Sequence, residues 1–495
     1  MHMFRPTVFA IAIASAFAAA LVAPATAAPP PERAPAGQIL PAPVVNAILA
    51  SGLSPASFGM YAQEVVGERT LVALNEERPF TMASTTKVVT SLAALDLLGP
   101  YYRWRTSAFA LGTLANGTLV GDLLIVGGGN AQLTSAELQA WFGRMHEQGL
   151  REIDGDIVLD RFAFQLSNAD HARTPPQSPD QPRHVWPDAM TLDEGLLGVT
   201  IQPTRAGRAA LALKPALSEV RLDNQVSMGA GCDASARWEP GRNGQATVVV
   251  RGSWSAACGT RSISFVPPAN SGYAARALPA MWAAAGGVLR GRVVAAEVVP
   301  GVSPIPVGPD GEPVQPMSFH RSKPLPEMVR DINKVSDNVA ARNLMLSLSP
   351  GFPGRPATLA GAQKIVGMWL RDQGLADGDV HVENGSGLSH GERAKPRAMV
   401  QLLRKAWRAD QAQAFFESLP VAGVDGTLRN RLQGGKAMGH AFLKTGTLND
   451  TRALAGYVLA ASGKMYAVAV MVNNVAADRG RAAMDVFIEW LARNG

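Results

Sequence analysis

Ser84 and Lys87 form the chain's single Ser-x-x-Lys, inside "TMASTTKVVTSLAALDLLGP". Residues three apart share a helix face, so the lysine amine can reach the serine hydroxyl. A serine hydroxyl is a weak nucleophile until a base takes its proton, and a lysine serves as that base when burial or nearby cations lower its pKa. Placement at a helix N-terminus adds a partial positive charge that favours the developing alkoxide. Taken alone the pattern is weak, because an ordinary helix cap followed by an exposed lysine spells the same four letters.

Two further elements change its weight. "KVSDNVAAR" supplies Ser336-Asp337-Asn338 in a helical region, and "FLKTGTLN" supplies Lys444-Thr445-Gly446 on an expected strand. In this order the three are the set found in penicillin-binding proteins and class A β-lactamases. Their chemistry follows from residue type. Ser84 attacks the carbonyl of a D-alanyl peptide bond, Lys87 removes its proton, and Ser336 helps relay a proton to the leaving amine. Asn338 holds a substrate amide, while Lys444 places a cation where a terminal carboxylate docks. Thr445 belongs to the same binding strand, and Gly446 lets the substrate lie against it as an added β partner. The backbone N–H groups of Ser84 and Thr447 are the expected oxyanion donors.

The elements that must position these groups can be read along the chain. Residues 57–83 alternate apolar and polar on either side of Gly67-Glu68, a strand, turn, strand pattern, and a helix follows with Val88, Leu92 and Leu95 on one face. From about Tyr101 to Pro304 the texture becomes many short β-type runs between Gly, Pro and Asn clusters, ending in "VVPGVSPIPVGPDGEPVQP". Helical periodicity returns in "PLPEMVRDINKVSDNVAARNLMLSL", "AQKIVGMWLRDQGL" and "RAMVQLLRKAWRA". Three strands and an amphipathic helix close the chain. The expected fold is α+β: an antiparallel sheet covered by helices, with a large, mainly β insert.

Composition sets the outer limits. The 495 residues are 47% hydrophobic and 17% charged, which gives a globular protein with ample core. The first 27 residues combine Arg5, an apolar run to Val22 and an Ala25-x-Ala27 site, a secretory signal pattern, with 28–37 as linker. The apolar run is short for a bilayer, and no later segment reaches the ~18 apolar residues a spanning helix requires. Export to the periplasm is the expectation. The net charge of +6 suits a polyanionic wall and leaves room for loose membrane association, with no nucleic-acid partner implied. In an exported chain the isolated pair Cys232 and Cys258 reads as a disulfide. The eight histidines show no metal-ligand spacing, so neither metal nor cofactor is expected.

With "VGDLLIVGGGN", "GDIVLDRFAF", "VENGSGLS", "PVAGVDGTLRNR" and "HAFLKTGTLND" added to the three motifs, the chain resembles the class C low-molecular-mass penicillin-binding proteins. These are serine-type D-Ala-D-Ala carboxypeptidases and DD-endopeptidases of bacterial peptidoglycan. The gap of roughly 250 residues between Ser84 and Ser336 also matches this family, whose members carry an insert there. The resemblance implies a catalytic domain in two parts, 38–97 and 305–495, around inserted domains at 98–304. It implies peptidoglycan stem peptides as substrates and β-lactams as covalent inhibitors. It also implies that Asp160, His390 and Asn449 hold the diamino acid side chain of the stem peptide. His390 stands where the family often has arginine, with Arg393 close by as a substitute cation. Asp425-Gly426 reads as a turn that shapes a loop near the site, and Trp186 and Trp254 as core residues or a glycan platform. The rival readings are a β-lactamase, which needs an activated deacylating water, and a wall-binding scaffold without catalysis.

Overall fold

The runs "ALAGYVLA" and "MYAVAVMV" are apolar at nearly every position, as a strand is when both its faces are covered. In the computed structural model, which describes residues 39–172, 176–204, 207–296, 306 and 314–495, they lie in a five-stranded antiparallel sheet. Its strands are β1 (Phe58–Glu64), β2 (Thr70–Leu74), β3 (Ala441–Leu448), β4 (Thr451–Leu459) and β5 (Met465–Asn473), in the order β3-β4-β5-β1-β2. Tyr61 of β1 lies opposite Ala469 of β5, so the N-terminal hairpin completes a sheet begun by the C-terminal strands. The expected leader (1–27), the linker (28–37) and most of the Pro/Gly-rich junction fall outside the described residues.

Helices α1 (Ala42–Ala50), α2 (Thr86–Leu97), α3 (Leu325–Val335), α4 (Asn338–Leu346), α5 (Pro396–Ala406) and α6 (Arg481–Asn494) cover this sheet. The period of two sorts its side chains between them. Val468, Val470 and Val472 pack with Val44 and Ile48 of α1 and Phe487 and Ile488 of α6. Ala467, Ala469 and Met471 face the opposite layer, which contains Val88 and Val89 of α2, Val329 of α3 and Met399 of α5. The α+β architecture expected from the sequence is the one observed.

Two local departures matter for the site. Helix α2 is buried all round from Thr86 to Leu95 rather than along a single apolar face. Its polar side chains are satisfied in place: Thr90 Oγ1 donates to the Gly385 carbonyl at 2.8 Å, and Asn333 Nδ2 donates to Ser91 Oγ at 3.2 Å. The run 324–348 is not one helical stretch but two helices. Ser336 ends α3 in the left-handed region (φ 63°, ψ 42°), and Asp337 caps α4 by accepting the N–H groups of Val339 at 2.9 Å and Ala340 at 3.0 Å.

The insert is built on a long hairpin, Arg105–Ala115 with Thr118–Val126, turned at Asn116-Gly117 with both residues at positive φ. Two three-stranded sheets follow, covering 197–265, and Cys232 and Cys258 are joined in a disulfide within this region. Helices Ser135–Glu147 and Tyr273–Ala284 pack into its core, so the insert is less purely β than its sequence texture suggests. Its first sheet also takes a strand from Ser318–Arg321, paired with Arg105–Ala108, which lies beyond the expected boundary at 304. Trp254 belongs to the insert's core, and Trp186 stacks on His171 with ring centroids 4.0 Å apart.

Candidate active site

Ser84 sits in a short 3-10 turn, Ala83–Thr85, that leads directly into α2. Ala83 before it has φ 45°, a left-handed conformation that a side chain rarely adopts. Two glycines make the conformation possible. A Cβ on Gly387 would lie 2.0 Å from the Ala83 carbonyl oxygen and 2.5 Å from the Ser84 nitrogen, and a Cβ on Gly446 would lie 2.7 Å from the Met82 carbonyl oxygen. Gly446 is therefore required by the close approach of the nucleophile's own backbone, a tighter constraint than the substrate clearance its sequence position suggests.

Lys87 is fully buried, and its Nζ has three partners: Ser84 Oγ at 3.1 Å, Asn338 Oδ1 at 2.5 Å and the Ser386 carbonyl oxygen at 2.5 Å. Among the described residues it makes no ion pair. Burial pushes its pKa down to about 7, helped by the Arg342 and Arg183 charges and opposed by Asp337 and Glu392. The partner set then fixes the direction of proton flow. A neutral amine has two N–H donors and one lone pair. Asn338 Oδ1 and the Ser386 carbonyl only accept, so they take both N–H groups and leave the lone pair facing the Ser84 hydroxyl.

Across the cleft, Ser336 is presented by the left-handed junction between α3 and α4, where its Oγ accepts from Lys444 Nζ at 2.9 Å. Lys444 also donates to the Thr445 carbonyl at 2.9 Å. It is fully buried behind Ser336 and the strand, and burial followed by the Lys87 and Arg183 charges lowers its pKa well below the usual lysine value. Its amine therefore reaches the cleft wall through Ser336 Oγ and the Thr445 carbonyl.

Ser84, Ser336, Asn338, Thr445, Gly446 and Thr447 all line one cleft of about 1090 Å³, and Asn449 and His390 lie on the same wall. Asn338 gives Oδ1 to Lys87 and one Nδ2 hydrogen to the Arg183 carbonyl at 3.3 Å, so its second amide hydrogen is the one available to a substrate. Thr445 Oγ1 donates to Thr427 Oγ1 at 2.8 Å, and Asp425 holds that loop to Lys334 at 2.6 Å, two residues before Ser336. Two positions implied by resemblance have polar partners of their own. Asp160 is buried at the end of strand Ile157–Asp160, accepts the Phe162 N–H at 2.7 Å, and is not among the residues lining the cleft. His390 faces Asp450 at 3.1 Å, while Arg393 turns back onto the His390 carbonyl.

The insert supplies what the motifs do not reveal. Arg183, on the turn Pro182–His184, lines the cleft. The other arginines on that wall are committed: Arg431 to Asp485 at 2.7 Å, and Arg452 and Arg481 to Asp478 at 2.5 Å and 2.7 Å. Among the described residues Arg183 has no carboxylate partner. No pattern in "QPRHVWP" marks it.

A helix-borne Ser-x-x-Lys facing a Lys-Thr-Gly strand across an antiparallel sheet domain defines a serine hydrolase of the penicillin-binding and β-lactamase-like fold. Comparison with known proteins narrows the class. The family model of the D-Ala-D-Ala carboxypeptidase 3 (S13) family matches residues 42–494, and the chain belongs to that family. It is 25% identical over 429 residues to the D-alanyl-D-alanine carboxypeptidase DacB of Haemophilus influenzae, covering 84% of this chain and 85% of that protein. To a D-alanyl-D-alanine carboxypeptidase of an Actinomadura species it is 28% identical, over 83% of this chain and 76% of that one. In structure it resembles penicillin binding protein 4 of H. influenzae with a TM-score of 0.68 at 23% identity, covering 87% and 93% of the two chains.

Two outcomes follow from this geometry. Ser336→Gly and Ser336→Ala both lose the hydroxyl, but only glycine relieves the left-handed backbone. Chemical denaturation should find the glycine variant more stable by about 1 kcal/mol, and equal stability would contradict the strain. With Lys87 as the base for acylation of Ser84, its folded-state pKa lies below its unfolded value, and the rate should rise with pH along a limb centred near 7. Lys87→Arg, which stays protonated, should remove that limb and slow acylation about 10²–10⁴-fold. Stopped-flow acylation with a fluorescent penicillin reads both effects.

Proposed function

We propose that this chain is an exported serine-type D-Ala-D-Ala carboxypeptidase and DD-endopeptidase, cleaving D-alanyl bonds of peptidoglycan stem peptides through an acyl-Ser84 intermediate. The observation that carries the reading is the Lys87 amine, held by two acceptor-only carbonyls with its remaining position on Ser84 Oγ. Ser84 Oγ bonds to the D-alanyl carbonyl carbon as its proton passes to Lys87. The tetrahedral oxyanion meets the N–H groups of Ser84 and Thr447. Collapse breaks the C–N bond, and the leaving amine takes a proton by way of Ser336 and Lys444. Water then hydrolyses the ester: its oxygen bonds to the carbonyl carbon and one of its protons restores that given up by Lys444, while the bond to Ser84 Oγ breaks and Ser84 takes back the proton held by Lys87.

The substrate is acidic, and the cleft suits it. Arg183 faces the cleft with its charge uncommitted, next to the Asn338 amide that binds the acyl side of the peptide. Thr445, Gly446, Thr447 and Asn449 form the strand edge along which the peptide lies, and His390 closes its end. β-Lactams acylate the same serine. The relative whose fold this chain shares was solved in complex with a β-lactam, with a TM-score of 0.64 to this chain. Periplasmic location rests on the leader pattern in residues 1–27. Among the described residues no helix is long and apolar enough to cross a membrane.

Purified protein incubated with a D-Ala-D-Ala pentapeptide and with intact sacculi should release D-alanine and open cross-links. Ser84→Ala should do neither and should take no fluorescent penicillin. If neither substrate yields product, the assignment fails; if nitrocefin turns over continuously rather than in one slow burst, the chain is a β-lactamase. Arg183→Ala should raise KM for an acidic stem peptide by about tenfold while leaving kcat nearly unchanged. An unchanged KM would remove Arg183 from substrate binding.

A further inference from the structure

Glu392 is fully buried and makes no ion pair among the described residues. Its Oε1 accepts the N–H groups of Glu383 at 3.2 Å, Asn384 at 3.0 Å and Gly385 at 2.7 Å, and its Oε2 accepts that of Gly387 at 2.7 Å. All four partners are donors. Burial raises its pKa above the usual carboxylate value and the four N–H groups work against that rise; a carboxyl proton would need an acceptor that this nest does not offer, so the geometry favours the carboxylate.

The loop wrapped around that carboxylate carries two contacts to the reacting groups. Ser386 presents its carbonyl to Lys87 Nζ at 2.5 Å. Gly387 lies against the Ala83–Ser84 peptide so closely that a Cβ there would be 2.0 Å from the Ala83 oxygen. Glu392 is also tied to the nucleophile by its own backbone, since its carbonyl accepts the Met82 N–H at 2.9 Å. Remove the carboxylate and four N–H groups lose the acceptor that curls 383–387 into this shape.

We propose that Glu392 is a positioning residue for acylation: a buried carboxylate that folds the 383–387 loop onto Lys87 and Ser84, and whose fixed charge acts on the Lys87 amine. The proposal rests on the acyl-serine reading given above. The charges that face Lys87 come from every element around it: Asp337 capping α4, Arg342 of α4, Arg183 of the insert, Lys444 of β3, and Glu392 itself. Asp337 and Glu392 favour the ammonium, and the cations oppose it. Loss of the Glu392 charge tips that balance toward the neutral amine, so Lys87 gives up its proton at lower pH.

The test is acylation of the full chain by a fluorescent penicillin, followed against pH for the unaltered protein, Glu392→Gln and Glu392→Asp. Glu392→Gln should move the acid midpoint down by about one pH unit, because the negative charge is gone. Glu392→Asp keeps the charge but falls short of the nest, so its midpoint should stay in place while the rate falls about tenfold or more. A Glu392→Gln protein with the unaltered midpoint, whatever its rate, overturns the proposal, because a merely structural role would not move that midpoint. If Glu392→Gln shows no thermal unfolding transition, Glu392→Asp decides: an unmoved midpoint with slowed acylation supports the proposal, and an unchanged rate or a shifted midpoint overturns it. Failure of the unaltered chain to be acylated at all would instead sink the acyl-serine reading, and this proposal with it.

Discussion

A lysine amine buried against a serine hydroxyl is the constraint from which the other features of this cleft follow. A solvated lysine stays protonated at neutral pH and cannot act as a base. Burial lowers the Lys87 pKa to about 7, so that the free amine is well populated at neutral pH, since a charge without a paired counter-ion is costly in a low-dielectric interior. Lys87 meets the condition because α2 is enclosed on all sides, with β-sheet on one flank and α3 and α4 on the other. The linkage has a definite sign. Below about pH 7 the native state carries a buried ammonium, and its stability is lower there than in the window up to the unfolded value of 10.5, where only the unfolded chain holds the proton.

Backbone strain lies on both sides of the same cleft. Ala83 and Ser336 are non-glycine residues in the left-handed region, one immediately before the nucleophile and the other bearing the opposing hydroxyl. Each costs on the order of 1–3 kcal/mol and persists only where the surroundings over-determine it. For Ala83 those surroundings are Gly387 and Gly446, which press on the turn from two sides. For Ser336 they are the end of α3 and the Asp337 cap of α4, with the loop around Asp425 pinned to Lys334 two residues earlier. The reacting groups thus sit on rigid elements, as a site that tolerates little displacement requires.

What the sequence disclosed and what it hid divide along contact distance. Ser84 and Lys87 are three residues apart, so a helix alone brings them together. The strands of the sheet announce themselves by apolar runs, and Lys444 falls on β3 where the pattern places it. The break at Ser336 is invisible to helical periodicity because apolar spacing continues through it. Lys444 was legible as a strand residue, but its position behind Ser336 depends on packing across 108 residues. Arg183, Ser386 and Glu392 carry no spacing signal at all, for each acts through contacts that only the assembled fold creates. Asp160, a residue matched by family pattern, sits at the end of an insert strand, its carboxylate accepting the Phe162 N–H of its own turn.

In the proposed mechanism the two buried lysines let one cleft both take and return a proton. Each lowers the other's affinity for a proton only while it is itself charged, so the cleft disfavours holding two ammonium groups at once. Lys87, with its lone pair on Ser84, receives the proton in the attack. A substrate carboxylate against the Thr445–Thr447 edge brings a negative charge close to Lys444, which has none in contact among the described residues, and favours protonation there. Lys444 in turn holds Ser336 Oγ, the hydroxyl placed to pass a proton to the departing amine. Division of labour between two lysines of the same intrinsic chemistry therefore arises from their partners: carbonyl acceptors and an alcohol for one, a relay hydroxyl and the peptide's own charge for the other.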